Sequence, residues 1–266
     1  MNVFICPVCK GKFTETSTGL LCENGHNFDR SKKGYVNLLT NNKSKQHGDD
    51  KLMCTARHEF LSKGYYNPLL EASIAMIAKY TKDGDVILDA GCGEGWYTKN
   101  IMKSLPDVQI AAVDISKDAL SIANLKNSAV ASVYDLPLED NSVSMVLNIF
   151  SPLSETEYKR VLINNGYLIY VIPLENHLFG LKSLLYNDPY KNAVKSYELD
   201  GYVLCDTAEV LYTIEIDNNA DIRNLFTMTP YYYTTGKNGH DVINNTPNLS
   251  TQAEFCVLTY RAEDKL

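Results

Sequence analysis

The sequence lacks any apolar run near the roughly 20 residues that a membrane-spanning helix needs. It also lacks a basic flank followed by an apolar core at its start, the pattern of a secretory signal. Proline is scarce, with 9 among 266 residues, whereas hydrophobic residues make up 45% and charged residues 21%. This composition excludes disordered and collagen-like chains and indicates a globular protein of one or two domains. We therefore expect a cytoplasmic protein with no membrane partner.

The 7 cysteines are odd in number and unevenly spread, which does not fit a framework of paired disulfides. Cys6 and Cys9 form a Cys-x-x-Cys pair, and Cys22 and His26 follow at the spacing of a second ligand pair. Four such side chains fill the tetrahedral coordination sphere of Zn²⁺ and leave no position for an activated water. The spacing therefore predicts a structural zinc site that stabilises the N-terminal segment.

Charge is distributed unevenly along the chain, whose formal net charge is -7. Residues 1–63 contain 10 Lys+Arg and 6 Asp+Glu, whereas residues 64–266 contain 15 and 26. Such a basic segment is usually a solvated surface, but it can also bind the phosphates of a nucleic acid. Its candidate phosphate contacts are Arg30, Lys32, Lys33, Lys43, Lys45, Lys51, Arg57 and Lys63.

Short apolar segments alternate with helical stretches after residue 84. The predicted strands are 85–89, 109–114, 130–134, 143–149 and 167–172, with helices at 97–105 and 117–125. This order is typical of an α/β fold with a parallel, doubly wound sheet. Two helices are predicted within 53–80, the second opened by Pro68. In the tail, predicted strands at 202–216 and 254–261 could add antiparallel strands at the sheet edge, and predicted helices lie at 177–185 and 221–226.

A glycine-rich turn follows the first of these strands, where open α/β sheets bind cofactors. Gly91, Gly93 and Gly95 are spaced G-x-G-x-G, unlike the G-x-G-x-x-G of dinucleotide-binding proteins. Asp89 would repel a pyrophosphate, but it suits the ammonium and sulfonium groups of S-adenosylmethionine. Asp114 ends the second strand, where an acid can accept hydrogen bonds from both ribose hydroxyls. These residues predict a site for S-adenosylmethionine.

These motifs resemble those of a known family, the zinc-containing bacterial 23S rRNA (guanine-N1)-methyltransferases of the rRNA large subunit methyltransferase A type. The resemblance covers nearly the whole chain. Besides the zinc segment and the glycine turn, the matching segments are 26–29, 33–39, 56–61, 64–69, 148–152, 177–187 and 228–231. The zinc spacing combined with the run at 33–39 is specific to this family among methyltransferases.

The resemblance implies a class I methyltransferase, a Rossmann-like doubly wound fold, preceded by a small zinc-binding module. It implies transfer of a methyl group from S-adenosylmethionine to N1 of a guanine in a hairpin loop of 23S rRNA. It also implies cofactor contacts by Tyr66, the Gly93–Glu94 pair and His177, and zinc binding by the four ligands named above. The expected partner is 23S rRNA, and a homodimer is possible.

The residues that act on the base are less clear from the sequence. Phe150, after the fourth strand, is expected either to stack on the target base or to pack beneath the cofactor. Asp135 follows the third strand and could reach the adenine amino group or be a plain turn residue. Asp135 and Glu175 are candidate general bases by position only.

The predicted organisation is an RNA-recognition module at 1–40, a linker with helices at 41–80 and a methyltransferase domain at 81–266. The segments 173–177 and 231–235 depart from the family pattern, and these departures concern RNA contacts rather than cofactor binding. Two alternatives stay open on the residues alone. One is a methyltransferase of small molecules, and the other is a non-catalytic rRNA-binding or assembly factor that retains the fold.

Overall fold

The computed structural model describes residues 3–40, 48–194 and 196–263, so Lys43 and Lys45 of the basic segment lie outside the described residues. Its strands are β1 (Phe13–Glu15), β2 (Gly19–Cys22), β3 (Asn27–Asp29), β4 (Val36–Asn37), β5 (Val86–Ala90), β6 (Gln109–Asp114), β7 (Ser128–Val130), β8 (Val143–Ile149), β9 (Leu162–Pro173), β10 (Tyr202–Ile216) and β11 (Leu249–Ala262). Its helices are α1 (Lys51–Ser62), α2 (Asn67–Tyr80), α3 (Trp96–Ser104), α4 (Lys117–Ala123), α5 (Glu155–Val161), α6 (Phe179–Leu185), α7 (Asn219–Thr227), α8 (Tyr231–Thr234) and α9 (Lys237–Asn245). Across these ranges, no helix has both the length and the apolar character needed to cross a bilayer.

An eight-stranded sheet with the strand order β10-β11-β9-β8-β5-β6-β7-β4 forms the centre of the protein. The strands from β9 to β4 pair in parallel, whereas β11 and β10 are antiparallel additions at one edge. From β5 the chain builds first towards β6 and later towards β8, so the strand order reverses beside β5. The predicted α/β class is confirmed, and open sheets of this kind bind ligands at such a switch point.

Both faces of the sheet are covered, which is why its parallel strands are almost continuously apolar. Along β5, Ile87 and Leu88 point to opposite faces, and each belongs to a different hydrophobic cluster. Ile87 packs in the cluster that includes Leu69 and Ile77 of α2, and Leu88 in the cluster that includes Tyr158 of α5. These two layers fix the loops at the carboxyl ends of the strands.

The strand predictions differ from the structure mainly where polar residues decide the boundary. Strands β6, β8 and β10 have the predicted bounds. Strand β11 begins five residues earlier because its polar residues Ser250 and Gln252 pair with β10. Strand β9 also begins five residues earlier, at Leu162, which pairs with Val143 before a register shift. The third predicted strand, 130–134, is instead Ser128–Val130. It ends early because Ser132 closes a turn, its Oγ accepting a hydrogen bond from the Tyr134 N–H at 3.2 Å.

The zinc segment is a three-stranded antiparallel sheet, β1-β2-β3, joined to the main body. Strand β4 pairs in parallel with β7 and so forms the last strand of the main sheet. Phe4, Leu20, Val36 and Leu38 are buried in the same cluster as Leu88. The hydrophobic core therefore continues across residue 40, where the sequence changes from the zinc segment to the linker.

Candidate functional site

Four side chains converge at the tip of the zinc segment. The Sγ atoms of Cys6, Cys9 and Cys22 and a ring nitrogen of His26 lie within 4.8 Å of one another. Cys9 and Cys22 Sγ are 3.6 Å apart, and His26 Nδ1 is 3.3 Å from Cys22 Sγ. Zinc–sulfur bonds of about 2.3 Å give ligand separations of this size, so three thiolates and one imidazole fit a closed zinc site. The predicted ligand set is brought together completely.

A cavity of about 550 Å³ opens at the carboxyl ends of β5, β6, β8 and β9. Apart from Asp135, its wall includes every residue that was predicted to contact the cofactor. These are Tyr66, Asp89, Gly91, Gly93, Glu94, Asp114 and His177. Residues near the start of α1 and before α8 close its sides, which the sequence pattern did not indicate. The volume is that of an ordinary small-ligand pocket.

Two glycines of the turn after β5 serve different purposes. Gly91 has φ +87°, and a Cβ there would lie 2.3 Å from the Cβ of Ser151, so this glycine is required by packing. Gly93 has φ +56°, and a Cβ there would meet only Arg57 Nη1, at 3.7 Å. Because Gly93 lines the cavity, its missing side chain leaves the backbone open to a ligand.

Two carboxylates lie on either side of this turn. Asp89 is 2% exposed and accepts a hydrogen bond from Thr98 Oγ1 at 2.6 Å, and burial raises its pKa to about 7. Asp114 accepts from the backbone N–H of Gly93 at 2.8 Å and of Ser116 at 2.7 Å, one on each oxygen. Each oxygen keeps a further lone pair, so Asp114 can still accept hydrogen bonds from two hydroxyls.

His177 and Tyr66 form an aromatic part of the cavity wall. The ring centroid of His177 is 4.4 Å from that of Phe255 and 6.2 Å from that of Tyr66. Burial lowers the pKa of His177 to about 3, so the ring is neutral near pH 7. Its Nδ1 accepts a hydrogen bond from the Glu254 N–H at 3.4 Å, which assigns the proton to Nε2 as a donor.

Phe150 also lines the cavity, in a left-handed backbone conformation with φ +62°. This conformation costs a non-glycine residue about 1–2 kcal/mol. Asn148 holds the loop, since its Oδ1 accepts from the Ser151 N–H at 3.2 Å and its Nδ2 donates to the Pro152 carbonyl at 3.0 Å. Phe150 is 46% exposed, and its ring centroid is 5.5 Å from that of Phe255. A strained backbone that carries a partly exposed aromatic side chain in a cavity wall is typical of ligand-binding sites.

The two candidate general bases lie outside the cavity wall. The side chain of Asp135 is 71% exposed and pairs with Lys10 at 3.7 Å, because the Ser132 turn directs it towards the zinc segment. Glu175 pairs with Lys191 at 3.3 Å, and its side chain is 57% exposed. The structure does not bring either carboxylate to the predicted cofactor contacts.

Arg57 is a site residue whose role the sequence reasoning missed, since it was grouped with the phosphate contacts. Its side chain is only 24% exposed, and it donates to Asp49 Oδ2 at 2.6 Å beside the cavity. A signal was present, because Met53, Arg57 and Phe60 recur at helical spacing on one face of α1. That face is buried, so Arg57 points inward. Arg30 is likewise engaged within the protein, donating to the Gly34 carbonyl at 2.7 Å and the Lys126 carbonyl at 2.6 Å.

Comparison with known proteins agrees with this geometry. A zinc-ribbon family model described as RlmA, N-terminal, matches residues 4–46, and a methyltransferase-domain model matches residues 87–165. The chain is 36% identical over 187 residues to the 23S rRNA (guanine(748)-N(1))-methyltransferase of Streptomyces fradiae, covering 68% of this chain and 66% of the relative.

Two further relatives carry the names of putative 23S rRNA (guanine-N(1)-)-methyltransferases. The protein of Micromonospora griseorubida is 35% identical over 214 residues, covering 71% of this chain and 72% of the relative. The protein of Bacillus subtilis is 36% identical over 201 residues, covering 70% of each chain. With its zinc ribbon and its S-adenosylmethionine-dependent methyltransferase fold, this chain belongs to the family of 23S rRNA (guanine-N1)-methyltransferases.

Proposed function

We propose that this protein transfers the methyl group of S-adenosylmethionine to N1 of a guanine in a hairpin loop of 23S rRNA. One observation carries this proposal. The segment with the closed zinc site shares a hydrophobic core with the sheet, and that sheet has a cavity of cofactor size at its switch point. Because all four zinc positions are filled by side chains, the metal has no open position for chemistry. We assign residues 1–40 to RNA recognition, 41–80 to the connection and 81–266 to methyl transfer. An rRNA substrate fits the expected cytoplasmic location, while dimerisation stays a prediction from the sequence.

The cofactor-binding roles follow from the groups that each residue offers. Asp114 accepts hydrogen bonds from the ribose hydroxyls with its remaining lone pairs. Asp89 and Glu94, both 2% exposed, face the ammonium and sulfonium groups, whose positive charge favours the ionised form of the two carboxyl groups. Gly93 leaves room for the cofactor beside the backbone, and Tyr66 and His177 close the aromatic wall. Together these residues hold the donor in one orientation.

Positioning supplies most of the rate in such a reaction. The sulfonium already activates the methyl group, so the protein must align donor and acceptor at about 3–3.5 Å and exclude water. Guanine N1 bears a proton and faces its pairing partner in a duplex, so the base must be unpaired or extruded before it can react. The apolar part of the cavity wall, which includes Ile149, Phe150 and Pro152, provides a surface for such a base.

We assign Phe150 to stacking on the extruded guanine, and substitution of Phe150 by alanine tests this role. Stacking is worth about 1–3 kcal/mol, so kcat/KM for rRNA should fall about 10- to 100-fold. The affinity for S-adenosylhomocysteine, measured by calorimetry, should not change, and Phe150→Tyr should retain most of the activity. A loss of S-adenosylhomocysteine affinity in Phe150→Ala would instead show that the ring packs beneath the cofactor.

A further inference from the structure

Arg57 is the sole lysine or arginine in the cavity wall, as far as the described residues show. The other charged side chains in that wall are acids, namely Asp49, Asp89, Glu94 and Asp114. S-adenosylmethionine carries two positive groups and one carboxylate. The acids can complement the positive groups, but they would repel the carboxylate. A group that binds the carboxylate must therefore come from elsewhere in the wall.

The guanidinium of Arg57 has donors to spare. It carries five N–H groups. Among the described residues, its hydrogen bonds run from Nη2 alone, to Asp49 Oδ2 at 2.6 Å and to the Met228 carbonyl at 3.4 Å. Nη1 is 3.8 Å from Glu94 Oε2, which is an ion-pair distance and too long for a hydrogen bond. The N–H groups of Nη1 and Nε thus remain available to a ligand.

These donors lie beside the glycine turn, where they can reach a ligand that binds there. Nη1 lies 3.7 Å from where a Cβ of Gly93 would be, so it faces the open side of the turn. Asp49 fixes the guanidinium from behind, and its own backbone carbonyl accepts a hydrogen bond from Ser116 Oγ at 2.6 Å. Asp49, just before α1, therefore links the Arg57 guanidinium to the turn that follows β6. A planar guanidinium held in this way matches a carboxylate with two parallel hydrogen bonds.

We propose that Arg57 binds the carboxylate of the methionine moiety of S-adenosylmethionine, and that Asp49 is the positioning residue that orients it. This inference rests on the proposed use of S-adenosylmethionine and adds the residue that recognises the amino-acid end of that molecule. It also assigns Arg57 to the cofactor site, whereas its charge alone would assign it to the RNA-binding surface.

Two ligands without a sulfonium charge distinguish recognition of the carboxylate from the fit of the nucleoside in the cavity. S-adenosylhomocysteine carries the amino-acid group, whereas 5′-methylthioadenosine has the same nucleoside and sulfur without it. In calorimetry, Arg57→Met should lower the affinity for S-adenosylhomocysteine about 10- to 100-fold and change the affinity for 5′-methylthioadenosine less than about twofold. Arg57→Lys should lose less, since it keeps the charge but not the fork. Lys99→Met, an exposed change on α3, is the matched control and should affect neither ligand.

Asp49→Asn provides a second variant that leaves the guanidinium in place. It should lower the affinity for S-adenosylhomocysteine several-fold and leave the affinity for 5′-methylthioadenosine unchanged. Equal losses for both ligands in Arg57→Met, with thermal unfolding like that of the parent, would overturn the proposal, as would unchanged S-adenosylhomocysteine affinity. A parent protein that binds neither ligand would contradict the use of S-adenosylmethionine itself. A parent that binds both but fails to methylate rRNA would contradict only the proposed substrate.

Discussion

Replacing Gly93 by valine is expected to abolish cofactor binding while the fold persists. The β-branched side chain would enter the cavity, since among the described residues, apart from the two chain neighbours, only Arg57 Nη1 lies within 4 Å of the new Cβ. The positive φ of +56° adds strain of about 1–2 kcal/mol. We expect the affinity for S-adenosylhomocysteine, measured by calorimetry, to fall at least about 100-fold. Asp114→Ala should cause a loss of similar size, because two hydrogen bonds to a charged acceptor are each worth about 1.5–3 kcal/mol.

Gly84 offers a matched control for the backbone strain. It has φ +84°, with nothing within 4 Å of a Cβ, and it lies in an exposed turn before β5. Gly84→Val should therefore lower thermal stability by an amount like that of Gly93→Val and leave cofactor affinity unchanged. Unchanged affinity in both Gly93→Val and Asp114→Ala would place the cofactor elsewhere.

Loss of one zinc ligand is expected to abolish rRNA methylation through the fold of the N-terminal segment. Cys22→Ser removes a thiolate that lies 3.6 Å from Cys9 Sγ and 3.3 Å from His26 Nδ1. Metal binding contributes directly to the folding of such small modules. We expect zinc content to fall to near zero and the methylation rate on rRNA to fall at least about 100-fold, the loss that follows when about 3 kcal/mol of substrate binding disappears. Affinity for S-adenosylhomocysteine should stay within about threefold of the parent, because no zinc ligand lines the cavity.

Cys205→Ser is the control for the zinc substitution, because Cys205 is exposed and lies outside the ligand cluster. It should change neither zinc content nor methylation. Methylation by Cys22→Ser at the parental rate would show that the zinc segment does not recognise the RNA. Loss of cofactor binding as well would show that the shared core around Leu20 and Val36 makes the segment and the sheet a single folding unit.

The features that the sequence predicted best depend on residues close together in the chain. The zinc ligands occupy two short turns, and the glycine turn with Asp114 follows from one strand–helix–strand unit. Strand β8 was predicted with its observed bounds because parallel strands buried on both faces are apolar throughout. In these cases the residues that the local sequence pattern favours are also the ones that the folded structure needs at those positions.

Features without a distinctive local sequence pattern could not be read from the sequence. The hydrogen bond from Arg57 to the Met228 carbonyl joins positions 171 residues apart. The left-handed conformation of Phe150 depends on Asn148 together with Tyr158, to whose hydroxyl Asn148 Nδ2 donates at 3.1 Å. The early end of β7 depends on a serine turn, which residue propensities alone do not locate. Helix α9 is mostly polar, with Ile243 as its buried residue, so it holds too few apolar residues for the sequence to indicate a helix.

The most direct measurement is the site of methyl transfer on unmodified 23S rRNA. The purified protein would be incubated with this RNA and labelled S-adenosylmethionine, and nuclease fragments would be analysed by mass spectrometry. We expect N1-methylguanosine at one guanine of a hairpin loop, and none when the same loop is closed into a duplex. Label on a metabolite with unmodified rRNA would contradict this expectation, and so would RNA binding without any methyl transfer.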